Sequence, residues 1–137
     1  MEYRFEFTGS PQDVTVIASG AASVSGFGRL FENLCGQLRF EPGMLILLDL
    51  TGTDMSAIPL SEAPEIGRGL AEFRDRCEGC AMAVVCRDPL TAVLMREGVG
   101  GAADWIDIWV ACSRDEASAW LESQRALRPG TADPAER

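Results

Sequence analysis

Met44 to Leu50, MLILLDL, followed at once by Thr51-Gly52-Thr53-Asp54, is the stretch from which the fold is read. Six of its seven residues are apolar, Pro42-Gly43 opens it, and an acidic turn is expected to close it. A strand with one face in water alternates apolar and polar residues. This run does not alternate, so it predicts a strand buried on both faces, as in a parallel sheet covered by helices. Ligands in such sheets gather outside the carboxyl ends of the strands. The first place to expect a site is therefore Asp49 to Ser56.

Upstream of this strand, Tyr3, Phe5 and Phe7 alternate with Arg4, Glu6 and Thr8, and Gly9-Ser10-Pro11 turns the chain. A β-branched stretch follows, so Tyr3 to Thr8 and Asp13 to Ser19 predict a hairpin. From Ser23 to about Phe40, Val24, Phe27, Phe31, Leu34 and Leu38 recur at spacings of three and four, the stripe of an amphipathic helix. Gly26, Gly28 and Gly36 each cost that helix ~1 kcal/mol.

Downstream, an irregular stretch to Pro59 leads to a second helix that starts near Ser61 to Pro64. It directs Ile66, Leu70, Phe73 and Cys77 inward and stops at Gly79. Cys80 to Cys86, CAMAVVC, is a second continuous apolar run and a second doubly buried strand. Asp88-Pro89 caps a third helix to about Glu97 with Val93 and Leu94 inward. Gly98 to Ala103 is a loop, Trp105 to Cys112 a strand, and Ser113-Arg114-Asp115-Glu116 a capping box opening the last helix, with Ala117, Trp120 and Leu121 inward. The order is ββαβαβαβα: a single α/β domain over residues 1–124, with a mixed sheet of about five strands and four helices. Right-handed crossovers send the helices to a common face unless the winding reverses. Residues 125–137, rich in Arg, Pro, Gly and Ala, read as a disordered tail.

Composition narrows the chemistry. A chain of 137 residues with 47% hydrophobic content supports one core. A net charge of −9 disfavours nucleic acid and anionic membranes as partners. All 12 basic residues are arginine, so there is neither lysine nor histidine. That removes the histidine general base, the histidine metal ligand, the Schiff-base lysine and the P-loop lysine. Catalysis would have to rest on carboxylates, cysteines or arginines, and no constellation of these is recognisable, so no enzyme is expected. MEYRFEFTG lacks the pattern of a signal peptide, and no apolar run approaches the ~20 residues of a membrane span. Five cysteines without an export signal are expected to be reduced, in a cytoplasm.

Pro42-Gly43-Met44 leading into Leu47-Leu48-Asp49-Leu50-Thr51-Gly52, then Ala81 to Val85, then Ser113-Arg114-Asp115-Glu116-Ala117 with Ala119-Trp120-Leu121, together with the order of elements, resemble the SpoIIAA-like branch of the STAS superfamily. This branch is also grouped with lipid-carrying Sec14-type domains. The resemblance covers nearly all of residues 1–124. It implies a non-catalytic regulatory or binding domain, like the anti-sigma-factor antagonists, that acts through protein contacts. The alternative it implies is a carrier of a lipid or other apolar small molecule. Phosphorylatable members place a serine or threonine directly after an aspartate at the start of the helix that follows the central strand. Here Ser56 follows Met55, two residues early. Ser56, with Ser61 behind it, is the candidate phosphosite; as loop or cap serines both would be ordinary.

Position at strand ends makes Asp49, Thr51, Asp54, Ser56, Asp88 and Ser113 the expected binding surface. Trp105 and Trp109 fall two residues from Asp107 on the same side of a strand, which marks an interface to a partner or a homodimer. Cys77-Glu78-Gly79-Cys80 is a CxxC at a helix carboxyl end, where the helix dipole opposes thiolate formation, and buried apolar cysteines are the expected reading. Gly26-Phe27-Gly28 lacks the glycine spacing of a dinucleotide site. Asp49, Asp54 and Glu62 could gather as carboxylates, but a solvated acidic turn is the simpler expectation. Neither a cofactor nor a metal is expected.

Overall fold

The computed structural model describes residues 1–7, 9–102 and 104–128 of the chain. The expected strand end at Thr8, the loop end at Ala103 and the tail from residue 129 onward lie outside the described residues. The strand that contains most of MLILLDL is β3 (Leu45–Asp54), and it sits in the middle of a five-stranded sheet. Around it are β1 (Glu2–Glu6), β2 (Val14–Ala21), β4 (Ala81–Val85) and β5 (Asp107–Ala111), in the spatial order β1-β2-β3-β4-β5. β1 pairs antiparallel with β2 as the predicted hairpin, and the other three pairings are parallel.

Each parallel step moves one strand over in the same direction through α1 (Val24–Cys35), then α2 (Ala63–Ala71) with α3 (Arg74–Cys77), then α4 (Pro89–Val99). Crossovers of one hand that advance in one direction must lie on one face. Phe27, Phe31, Ile66, Leu70 and Met95 from these helices accordingly share a core with Ile46, Leu48, Leu50, Met82 and Val84. The last helix, α5 (Arg114–Ala126), follows β5 and is not followed by a strand among the described residues, so the handedness of a crossover does not constrain it. It returns over the other face, where Ala117 and Leu121 pack on Leu45, Leu47, Ala81, Ala83, Val85 and Ala111. The helices therefore occupy both faces rather than one, and β3 and β4 are buried on both sides for that reason.

Several boundaries move. β3 continues through Thr51-Gly52-Thr53 as strand, not turn, because β2 pairs with it as far as Ala21 opposite Asp54. The register shifts between Ile17 and Ser19, and Gly52 lies beneath that irregularity, where a Cβ would stand 3.2 Å from the Ala18 carbonyl oxygen. The first helix ends at Cys35, capped by Gly36, so Leu38 is fully exposed instead of completing the inward stripe. The second breaks after Ala71, which adds the four-residue α3 to the four longer helices. In α4, Leu94 points inward but its neighbour Val93 is 43% exposed.

The folded region also runs past residue 124. α5 ends at Ala126, and Arg125 donates to the Pro11 carbonyl (2.9 Å) and to Asp13 (2.7 Å). The second carboxylate oxygen of Asp13 accepts from the Leu45 amide at 2.8 Å, so one aspartate joins the helix to the start of β3. Arg128 reaches the Gly79 carbonyl and approaches Asp107 at 3.7 Å. Polar composition concealed these contacts, because arginine anchors through its guanidinium while its stem packs.

Candidate functional site

At the carboxyl ends of β3 and β4 the chain forms an apolar groove of about 440 Å³. Its shape follows from two aspartates, Asp54 at the end of β3 and Asp88 at the N-cap of α4. The Asp54 carboxylate accepts the Ser56 amide at 3.0 Å, turning the chain so that Met55 and Ile58 drop inward as a floor. The Asp88 carboxylate accepts the Thr91 amide at 2.8 Å, and Pro89 sits in the first turn, so α4 starts there as the sequence predicts. One wall is Leu60, 56% exposed at the head of the 3₁₀ turn Leu60–Glu62. The other is Leu90 and Val93, a helical i, i+3 pair on α4, with Leu90 78% exposed. Hydrogen bonds from the Ser56 backbone and side chain hold the Asp54 carboxyl below the usual range. The Thr91 amide does the same for Asp88. Both carboxylates stay ionised at neutral pH, with Arg87 beside them at 4.0 Å from Asp88.

The six residues expected to share one surface divide between the two sides of the sheet. Asp54, Ser56 and Asp88 line the groove. Asp49, Thr51 and Ser113 lie toward α5. Asp49 is only 7% exposed and fully engaged: one oxygen accepts the Thr51 amide (2.9 Å) and hydroxyl (2.6 Å), and the other accepts two bonds from Arg114 (3.0 and 2.9 Å). Burial pushes this carboxyl up, but the Thr51 and Arg114 bonds outweigh it and hold the group below its ordinary value. It is a fastener between β3 and α5, not a free ligand. Ser113 is the N-cap of α5 and accepts the Glu116 amide at 3.1 Å, while Glu116 reaches back to the Cys112 amide at 3.5 Å, one residue before the cap. Ser61 is exposed in the 3₁₀ turn, outside the groove lining.

The two tryptophans do not share a face. β5 begins only at Asp107; Trp105 precedes it, packs against the larger core and carries the Arg74 guanidinium over its ring at 5.9 Å. Trp109 lies on the α5 side, 44% exposed and stacked on Trp120 at 6.2 Å. These two rings, with Leu127 and Arg128, line a second, more polar hollow along β5. Asp49, engaged with Thr51 and Arg114, does not join Asp54 and Glu62. Among the described residues, no three Cys, Asp or Glu side chains gather as a metal site. At Gly26-Phe27-Gly28, the Gly26 amide is occupied by the Ser23 hydroxyl at 2.9 Å, and Gly28 faces Gly69 of α2, so these glycines serve helix packing.

No family model matches the chain, and no curated protein matches it. Among solved structures, it is similar to the crystal structure of an uncharacterised protein from the DUF3478 family with a SpoIIAA-like fold, from Shewanella loihica PV-4. The TM-score is 0.54 at 14% identity, over 88% of this chain and 92% of that one. The fold is SpoIIAA-like. At that identity the likeness concerns the fold alone. In this SpoIIAA-like domain the groove-forming Met55, Ile58, Leu60 and Leu90 were not singled out by sequence reasoning. The available signal was Leu90 directly after the capped Pro89, at a position where a first helical turn is normally exposed.

Proposed function

We propose that this SpoIIAA-like domain is a non-catalytic binding module that takes an apolar segment of a partner protein into the groove at the ends of β3 and β4. The observation that carries the reading is the pair of walls: Leu60 on one side, Leu90 and Val93 on the other, largely in water above a buried floor of Met55, Ile58 and Leu94. Exposed leucines rimming an apolar concavity are the usual signature of a docking surface. The ionised groups nearby favour the same reading over catalysis, because Asp54 and Asp88 already cap a turn and a helix. Ser56 is exposed at the rim, so a phosphate there would place about two negative charges beside Asp54 and Asp88 and oppose an acidic segment.

A second reading, a carrier of an apolar small molecule, is favoured by the groove volume, which falls in the range of small-molecule pockets. Native mass spectrometry of protein purified from its own host, compared with Leu90→Arg, separates the two. Leu90 is exposed, so the variant should melt with the wild type. A defined protein partner held by the wild type and weakened roughly tenfold or more in the variant is the expected result. A bound apolar small molecule lost in the variant would support the carrier instead. If no partner or ligand responds to Leu90→Arg, the groove is not the binding site.

A further inference from the structure

Cys35 ends α1 and Cys77 ends α3. Each helix delivers the chain to the amino end of the next parallel strand, so topology brings both to the end of the sheet away from the groove. Although 42 positions separate them in sequence, their sulfurs lie 3.4 Å apart in a hydrogen bond, with both residues buried. The CxxC partner of Cys77 is directed elsewhere: the Cys80 thiol faces the Glu41 carbonyl at 3.9 Å. Arg76 is fixed beside the pair by two backbone carbonyls, those of Cys35 (3.3 Å) and Phe40 (2.7 Å). The Cys77 hydrogen bond, opposed by burial and assisted by the Arg76 charge, holds the Cys35 thiol below its ordinary value, while the same bond and burial push Cys77 up. Cys35 is also the more reachable of the two, at 6% exposed against 1%. A disulfide needs an S–S distance near 2.05 Å, so the sulfurs must close by roughly 1.4 Å.

We propose that Cys35 and Cys77 are a peroxide-oxidisable thiol pair that closes a reversible disulfide between the ends of α1 and α3. The Cys35 thiolate attacks one oxygen of a hydroperoxide and breaks the O–O bond. This gives Cys35 sulfenic acid and, with one proton, releases water or the corresponding alcohol. The Cys77 sulfur then attacks the Cys35 sulfur, the S–O bond breaks, and the hydroxyl leaves as water with the Cys77 proton. The two thiols lose two electrons in all, and the peroxide gains them. The bond staples two crossovers at one end of the sheet and leaves the groove at the other end open.

The test uses Cys112→Ser, which removes the exposed thiol and with it intermolecular coupling. The protein is treated with hydrogen peroxide, denatured, alkylated and cleaved after arginine and glutamate, which separates Cys77 from Cys80 at Glu78. The expected product is a cross-link between the Cys35 and Cys77 peptides that dithiothreitol reverses. It should survive Cys80→Ser, and the oxidised protein should melt higher than the reduced one. A Cys77–Cys80 link, over-oxidation of Cys35 without a cross-link, or two thiols still fully alkylated after peroxide would each overturn the proposal. The main readout keeps the native pair in place, so it does not depend on a core variant folding.

Discussion

Replacing Asp49 with asparagine tests whether this residue is a fastener or a ligand. The carboxylate takes four hydrogen bonds, two from Thr51 and two from Arg114, and its side chain is 10% exposed. Asparagine can still accept from Thr51, but its amide group would confront the Arg114 donors. Hydrogen bonds to charged groups contribute about 1.5–3 kcal/mol each. Arg114 is 49% exposed and rehydrates once released, which discounts its share. The expected loss is about 2 kcal/mol, or ~6–8 °C in Tm for a chain of this size. The folded-state pKa lies below the unfolded one, so the contribution is complete above the unfolded value, near pH 4, and is lost as pH falls through the depressed folded value. Asparagine does not titrate. Calorimetry should therefore show a constant gap between wild type and Asp49→Asn from neutral pH down to about pH 5, closing below about pH 4. Equal melting temperatures at neutral pH, or a gap that persists undiminished in acid, would refute the fastener.

Two further substitutions probe the packing of helices on the two faces of the sheet. Gly67→Ala should lower Tm by ~10 °C, about 3 kcal/mol, because its Cβ would stand 2.2 Å from the Gly98 carbonyl oxygen and force α2 and α4 apart. Helix propensity alone predicts the opposite sign by ~1 kcal/mol, so thermal denaturation gives a clear answer and a stabilised variant would sink the close approach. Arg125→Ala should shift the urea midpoint downward by the equivalent of about 1–2 kcal/mol, since it removes the bonds to Pro11 and Asp13. An unchanged midpoint would return Arg125 to a solvent-exposed tail.

What was legible in the sequence is what each element imposes on itself. MLILLDL is continuous because both its faces are covered, and Asp88-Pro89 and Ser113 start helices through bonds made within one turn. The face chosen by α5 was not legible from handedness, which governs crossovers between parallel strands and is silent on a helix outside such a crossover. A second signal was present: Ala81, Ala83, Ala111 and Ala117 are small, and small residues facing one another let a helix settle close to a sheet. Asp49 carried a signal too, as a charge inside an apolar run that required a partner, but nothing local identifies Arg114, 65 positions away, as that partner. The groove was the least legible of all. Periodicity states which way a side chain points from its own element, and singly exposed leucines are ordinary. Leu60 and Leu90 become walls of one groove only because the parallel pairing of β3 and β4 brings their carboxyl ends together above Met55 and Ile58. The same relation holds for Cys77, which the sequence presents with Cys80 in a CxxC of buried apolar cysteines, while the topology sets the Cys35 sulfur beside it. In this fold the chemistry of a residue is written locally, and its partner is set by which helix ends the crossovers bring side by side.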